Sequence, residues 1–339
     1  MKHQTATPPI VLRTDFRAHT DIAAVAQLHD TIYREEFEFG GELFTKYVED
    51  SLREFAQQYQ PHKDALWMYE HEGKLIGCIF LMNRGDAAQL RYFLIHRDFR
   101  GLGFGKKLME MFLKTLRQRH YRSCYLWTVE GLTQAAHLYQ KYGFRVTEER
   151  LSNNFGITLL EQRYELILPI FRLGELADAS GLRDLTEKTF VDTYADFNTA
   201  ENMHLHISTR FGLAQLQHEL LDPHIQYVIV ELKEQLVGFV KLVKEHSLPE
   251  LSSLKAVEIE RFYVDLAYQG KSIGTRLMDY ALQWARKEGF EVAWLGVWEH
   301  NTKALQFYEK MGFVPFGEHI FTFGTELQND FLLKRELTK

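Results

Sequence analysis

Cysteine is almost absent from this sequence: Cys78 and Cys124 are the two in 339 residues. Both stand in apolar stretches that read as strands, so buried thiols are expected and a disulfide framework is excluded. Proline is scarce too, at seven residues, and no compositionally biased tract occurs, which confines disorder to the termini. No apolar run approaches the length of a membrane span, and residues 1–10 lack the apolar core of a signal peptide. A cytoplasmic chain with no membrane partner is therefore expected. A surplus of positive charge is also missing. The formal net charge is −6, whereas a general nucleic-acid binder shows a basic surface, so no nucleic-acid partner is expected and a cationic small substrate suits the sign better.

What is present fits a globular chain, with 45% hydrophobic and 25% charged residues, but 339 residues exceed what one hydrophobic core usually serves. The chain also matches itself. Arg100-Gly101-Leu102-Gly103-Phe104-Gly105 aligns with Gln269-Gly270-Lys271-Ser272-Ile273-Gly274 at an offset of 169 residues (100 to 269). Without a gap, the same offset pairs Leu108 with Leu277, Tyr121 with Phe290, Ala135 with Ala304, Tyr139 with Tyr308 and Gly143 with Gly312. Such a run implies a duplicated unit. Upstream, Leu75-Ile76-Gly77 matches Leu236-Val237-Gly238 at 161 residues (75 to 236), which places an eight-residue insertion, 246–253, in the second copy. Pro169 marks the boundary, giving domains over 10–168 and 170–337.

Each copy reads in one order. Helical patterns (22–33 and 44–58; 176–194 and 213–221) precede a hairpin at Glu72-Gly73 or Lys233-Glu234 and a further strand (90–95; 257–264). Then come the glycine-rich turn, an amphipathic helix (106–119; 275–287), a strand (123–129; 292–298), a helix ending at Gly143 or Gly312, and terminal strands. The class is α/β (α+β), each domain carrying a mixed, mostly antiparallel sheet flanked by helices.

A strand running into Arg-Gly-x-Gly-x-Gly and a helix gathers backbone N–H groups at a helix N-terminus, where a pyrophosphate fits. The dinucleotide fingerprint is excluded, because Leu108 stands where its last glycine belongs, and the phosphate-loop Lys-Ser/Thr ending is missing. Together with the later Ala-x-x-x-Tyr-x-x-x-Gly-Phe helix, the turn resembles that of the GNAT superfamily of N-acetyltransferases, in both copies. The C-terminal half is similar to spermine/spermidine acetyltransferases of the PaiA type, through Glu258-Ile259-Glu260-Arg261-Phe262-Tyr263-Val264, Leu295-Gly296-Val297-Trp298-Glu299-His300-Asn301 and Gln328-x-Asp330 among other stretches. The N-terminal half, with Leu90-Arg91-Tyr92-Phe93-Leu94-Ile95, resembles acetyltransferase domains fused to helix-turn-helix regulators.

The resemblance implies acetyl-CoA as cosubstrate. Its pyrophosphate falls to the amides of Arg100, Gly101, Leu102, Gly103, Phe104 and Gly105, and of Gln269, Gly270, Lys271, Ser272, Ile273 and Gly274. Its pantetheine arm falls to the preceding strand, at Ile95 or at Phe262 and Val264. The resemblance further implies that Asn301 orients CoA and that Tyr139 and Tyr308 protonate the departing thiolate. Ser272 departs from the family's glycine, and Leu132 stands where the second copy has Asn301.

An amine attacks a thioester only when neutral, and an ammonium of pKa about 10.4 needs a proton acceptor. Glu258 and Glu260, two apart on one strand face, are candidates, with Glu258 first; the plainer alternative is an exposed carboxylate ladder. The first copy offers Gln89 and Arg91 there, neither of which is a base. His300 and His319 read as surface or strand residues, and no metal is expected. The readings are a C-terminal domain acetylating a polyamine or other primary amine, with a monomer or homodimer left open. The alternatives are an N-terminal domain that is a degenerate acetyl-CoA-binding or ligand-binding regulatory module, or an acceptor that is an amino acid, an antibiotic or a protein amine.

Overall fold

Alternating burial along Ala87–Ile95 and a 3.6-residue apolar stripe along Phe104–Gln118 set the two kinds of element from which each half is built. The computed structural model describes residues 9–37, 39–153, 157–195, 198–244, 248–270, 272–323 and 326–337. The chain parts into two compact units between Leu168 and Pro169. The first contains β1 (Val11–Arg13), α1 (Ala18–Phe37), α2 (Glu42–Gln58), β2 (Ala65–His71), β3 (Lys74–Arg84), β4 (Ala87–Ile95), α3 (Phe104–Gln118), β5 (Ser123–Val129), α4 (Thr133–Lys141), β6 (Arg145–Ser152) and β7 (Leu159–Ile167). The second contains β8 (Ile170–Leu173), α5 (Ala179–Tyr194), α6 (Ala200–Arg210), α7 (Leu213–Leu221), β9 (Ile225–Leu232), β10 (Gln235–Val243), β11 (Ala256–Val264), α8 (Ile273–Lys287), β12 (Val292–Trp298), α9 (Thr302–Lys310), β13 (Val314–Phe323) and β14 (Glu326–Glu336).

Both sheets have seven strands in equivalent order, β1-β2-β3-β4-β5-β7-β6 and β8-β9-β10-β11-β12-β14-β13. Each is antiparallel except for one parallel pair, β4 with β5 and β11 with β12. The mixed sheets flanked by helices are those the sequence predicts. Both expected hairpins form, with left-handed φ at Glu72, Gly73, Lys233 and Glu234, the two-residue geometry that matches strand twist. In the first unit Met68, Cys78 and Phe80 pack on Leu52 and Phe55 of α2, while Ile79, Leu81 and Leu90 pack on Leu108, Met109 and Phe112 of α3. In the second, Tyr227, Ile229 and Phe239 meet Leu182, Leu185 and Leu216 of α5 and α7, and Val228, Val240 and Ile259 meet Leu277, Met278 and Ala281 of α8. Both cysteines are buried, in β3 and β5.

The sequence pattern does not announce α6. Met203 is the one buried residue along it, too little for a visible apolar stripe, and Thr199 holds its start by accepting from the Asn202 N–H. The insertion lies between β10 and β11; residues 246 and 247 fall outside the described residues, and Leu251 anchors the segment leading into β11 against Trp294 and Leu332.

Candidate active site

β4 and β5 pair only through Ala87, Ala88 and Gln89 with Ser123, Cys124 and Tyr125. β11 and β12 pair only through Ala256, Val257 and Glu258 with Val292, Ala293 and Trp294. Beyond these positions the parallel strands part. A bulge sits where each parting begins. In β4, Cys78 faces Leu94 and Phe80 faces Arg91, so Ile79 opposes two residues, one of them Tyr92 with φ 52°. In β11, Lys241 faces Arg261 and Leu242 faces Ile259, which leaves Glu260 as the extra residue. A bulge bends its strand and sharpens the local twist, turning it from its parallel neighbour.

Each parted strand runs on into the glycine turn. Gly101 and Gly103 have φ 76° and 84°, Gly270 and Ser272 75° and 60°, and Gly103 and Ser272 immediately precede α3 and α8. A Cβ at Gly101, Gly103 or Gly270 would meet nothing within 4 Å, so backbone conformation demands glycine there and the space in front is open. Ser272 pays for the same conformation with about 1 kcal/mol. Phe104 packs on Tyr69, Ile273 is buried, Leu102 is 61% exposed, and Lys271 lies outside the described residues. The opening residues of the turns do the same work by different chemistry. Arg100 Nε donates to the Ile95 carbonyl at 2.9 Å and Gln269 Nε2 to the Val264 carbonyl at 3.0 Å, each tying the turn to the end of its strand. Their other atoms are committed as well. Arg100 is clasped by Glu36 at 2.6 and 2.9 Å, and Lys303 donates to Gln269 Oε1 at 2.7 Å.

Tyr139 and Tyr308 are buried beside these turns, Tyr139 near Phe93, Phe144 and Tyr164, and Tyr308 near Phe262, Phe307 and Phe313. Burial pushes both phenols well up, with Tyr194 adding to the effect at Tyr308 and Tyr33 and Tyr164 at Tyr139. Each keeps its proton at every physiological pH and offers a hydrogen bond. Asn301 caps α9, its Oδ1 accepting from the Ala304 N–H at 3.2 Å, while Leu132 gives α4 no side-chain cap.

Ala256 and Glu258 alternate with Val257 and Ile259 of the α8-side core, so Glu258 lies on the sheet face opposite α8, half-buried. Glu260 is differently placed. Its carboxylate is held by Lys241 at 2.9 Å and Arg261 at 3.2 Å, and Lys241, 4% exposed, also pairs with buried Glu219 at 2.9 Å. Glu219 further accepts from the Tyr227 hydroxyl. Burial opposes ionisation of Glu219, yet Arg261, the Tyr227 hydroxyl and Lys241 together hold it below the usual carboxylate range. This ionic cluster borders a cavity of about 530 Å³ with Gln215, His218 and Asp222. In the first unit, Gln89 Oε1 accepts from Arg84, and Arg91 lies over the Tyr47 and Tyr92 rings.

Between the parted strands of the first unit lies a cavity of about 830 Å³. The turn and Tyr139 border one part of it, and Tyr33, Phe37, Phe39, Phe44 and Tyr47 wall another. A family model described as "Acetyltransferase (GNAT) family" matches the chain twice, over residues 26–144 and 185–313. The chain belongs to the GNAT acetyltransferase family. An uncharacterized N-acetyltransferase from the pepI 3′ region of Lactobacillus delbrueckii subsp. lactis is 32% identical over 153 residues, 45% of this chain and 88% of the relative. Another from Mycobacterium bovis is 26% identical over 162 residues, 48% of this chain and 99% of the relative. Each relative has about the length of one unit, as a tandem duplication requires. The PaiA N-acetyltransferase from Thermoplasma acidophilum, solved with coenzyme A, is 21% identical, with a TM-score of 0.42, covering 50% of this chain and 99% of that one. The protein is an N-acetyltransferase with acetyl-CoA as cosubstrate.

In both GNAT units the parted strand, the turn and the late-helix tyrosine named from sequence stand together. The aromatic wall and His29 of the first cleft were not foreseen, although five aromatics within residues 33–47 are a visible signal. His29 is buried at the cleft, its Nδ1 on the Val25 carbonyl at 2.8 Å, and burial, then the charge of Arg91, lowers its pKa to about 4. Unfolded, it takes a proton below pH about 6.5. The stability due to neutral His29 is therefore complete above that pH and lost as pH falls toward 4, to a total of about 3 kcal/mol. Urea unfolding between pH 4 and 7 should show a steeper acid loss in the wild type than in His29→Gln; equal slopes would refute it.

Proposed function

We propose that the C-terminal unit transfers the acetyl group of acetyl-CoA directly to a primary amine of a small cationic molecule, a polyamine being the candidate. The observation that carries this reading is the meeting, at one strand end, of the parted β11 and β12, the left-handed turn before α8, and Tyr308. The amides of 269–274 would hold the pyrophosphate, and the free edge of β11 at Phe262 and Val264 the amide-bearing arm. Bound acetyl-CoA supplies an activated acyl carbon. Glu258 takes the proton of the attacking amine, directly or through water, and Tyr308 hydrogen-bonds the sulfur as the carbon–sulfur bond breaks. Glu260, already shared between Lys241 and Arg261, fixes the bulge instead. Asn301, the cap of α9, would offer its Nδ2 to bound CoA, its Oδ1 being held by the Ala304 N–H.

The cleft of about 830 Å³ favours a second reading for the N-terminal unit: it binds acetyl-CoA as well, without a carboxylate at Gln89 or Arg91, and serves an apolar acceptor or a regulatory role. Calorimetry with acetyl-CoA should count two sites of unequal affinity on the full chain. Gly103→Asp places a negative charge before α3, where its side chain meets no neighbour, and should abolish one site. Two sites surviving that change would refute the N-terminal assignment, and thiol release with no amine of a polyamine, amino-acid and aminoglycoside panel would refute the acceptor class.

A further inference from the structure

The offset of 169 residues that aligns the turns also carries Trp127, Arg150 and Glu161 onto Gly296, His319 and Asp330 (127 to 296, 150 to 319, 161 to 330). The ladders give the same equivalence independently. Glu161 stands opposite Val129 and Arg150, and Asp330 opposite Trp298 and His319. In the N-terminal unit the place is filled by the protein itself. Arg150 donates to Glu161 from Nε at 2.8 Å, its guanidinium lies 4.0 Å over the Trp127 ring, and Glu161 is 7% exposed. A carboxylate, a cation and an aromatic face are thus already assembled at the edge of that cleft.

In the C-terminal unit the carboxylate remains and its cation does not. Glycine replaces the indole and imidazole replaces the guanidinium. A Cβ at Gly296 would come 3.4 Å from Asp330 Oδ2, so the carboxylate leans over the space the indole would occupy. Among the described residues Asp330 is in no ion pair, and burial raises its pKa, with His319 opposing. Aromatic faces stand beside it: Trp298 is its ladder neighbour, 6.4 Å from Tyr194, and His300 packs on Trp298 at 5.2 Å. Tyr194 also joins this place to the reacting end. Its phenol is raised by burial and then by Asp330, it is hydrogen-bonded to Tyr263, and it in turn raises Tyr308.

We propose that Asp330, with Tyr194 and Trp298, is a subsite for an ammonium group of the acceptor, distant from the nitrogen that is acetylated. The ligand supplies the cation that Arg150 supplies within the other unit. The acceptor class is therefore an amine with a second, charged nitrogen, and the N-terminal unit rejects it because its own carboxylate is already paired. This rests on acetyl transfer in the C-terminal unit.

Thiol release by the full chain should be compared for 1,4-diaminobutane, spermidine and butylamine, which lacks a second charge. The diamine and spermidine should exceed butylamine in kcat/KM by tenfold or more. Asp330→Asn should raise their KM at least tenfold and leave the KM for butylamine unchanged. His319→Arg, which supplies the first unit's guanidinium, should do the same with Asp330 in place. Equal losses for all amines, or an unchanged KM for the diamines, would overturn the subsite. Should no amine be acetylated, the transfer reading falls and calorimetry of spermidine on the CoA-saturated protein decides the subsite. Binding that Asp330→Asn abolishes upholds it; binding that survives, or none in the wild type, overturns it.

Discussion

Tyr308→Phe should lower amine acetylation by about 10²-fold at saturating acetyl-CoA, the usual scale for a lost hydrogen bond to charge that develops in the transition state, and leave the fold intact. The hydroxyl is the one group removed. The ring keeps its contacts with Phe262, Phe307 and Phe313. Because burial holds the phenol far above a thiol of pKa about 8.5, Tyr308 retains its proton and acts by hydrogen-bonding the sulfur as negative charge grows there. Its effect should fall on turnover and not on the affinity for acetyl-CoA. Tyr139→Phe should scarcely change the same reaction, since its unit has Gln89 and Arg91 at the positions of Glu258 and Glu260. Turnover measured with spermidine, and far-UV dichroism of both variants, gives the comparison. Equal losses would mean that the units act jointly, and a loss in Tyr139→Phe alone would move the reaction to the N-terminal unit.

Lys241→Met should destabilise the C-terminal unit by about 3 kcal/mol or more, because removing one partner of a buried ion pair strands the other. Lys241 is nearly inaccessible and joins Glu219 to Glu260, both at 2.9 Å. Arg261, at 3.5 Å, and the Tyr227 hydroxyl are left to hold Glu219 without the shorter ammonium contact. Glu219→Gln in the same chain should recover a substantial part of the loss by deleting the stranded charge. Hydrogen exchange resolved by segment reads the two units separately, so β1–β7 serves as the internal control. Protection of β9 to β11 unchanged by Lys241→Met would show that the cluster contributes specificity of packing and little stability.

What the sequence could carry was local. Glycines at left-handed positions and amphipathic periodicity leave marks within a few residues, which is why the turns, α3, α8 and the two hairpins stand where the pattern places them. The duplication doubled those marks. Other features depend on partners remote in sequence and leave none. Arg100 reads as one more amide of its turn, and nothing near it in sequence shows that Glu36, 64 residues away, clasps its side chain. Glu260 reads as the twin of Glu258 until a one-residue bulge and Lys241, 19 residues away, set it apart. α6 left no such mark, because its apolar residues Met203, Leu205 and Ile207 fall at every second position and only Met203 is buried. The resemblance in Gln328-x-Asp330 marked a place without showing that Arg150 fills the matching site.

The parting of β4 from β5 and of β11 from β12 has one more effect. A strand edge ordinarily lies at the rim of a sheet, where water satisfies it, whereas these edges open in the middle of seven-stranded sheets. With acetyl-CoA bound as proposed, an extended ligand arm with its own amide groups would complete the ladder there, as a guest strand would. Its binding energy then counts toward folding, about 2.7 kcal/mol at a hundredfold excess over the dissociation constant. On the proposed reading each unit would be a sheet finished by its ligand, and acetyl-CoA would set how long the chain stays folded as well as how fast it works.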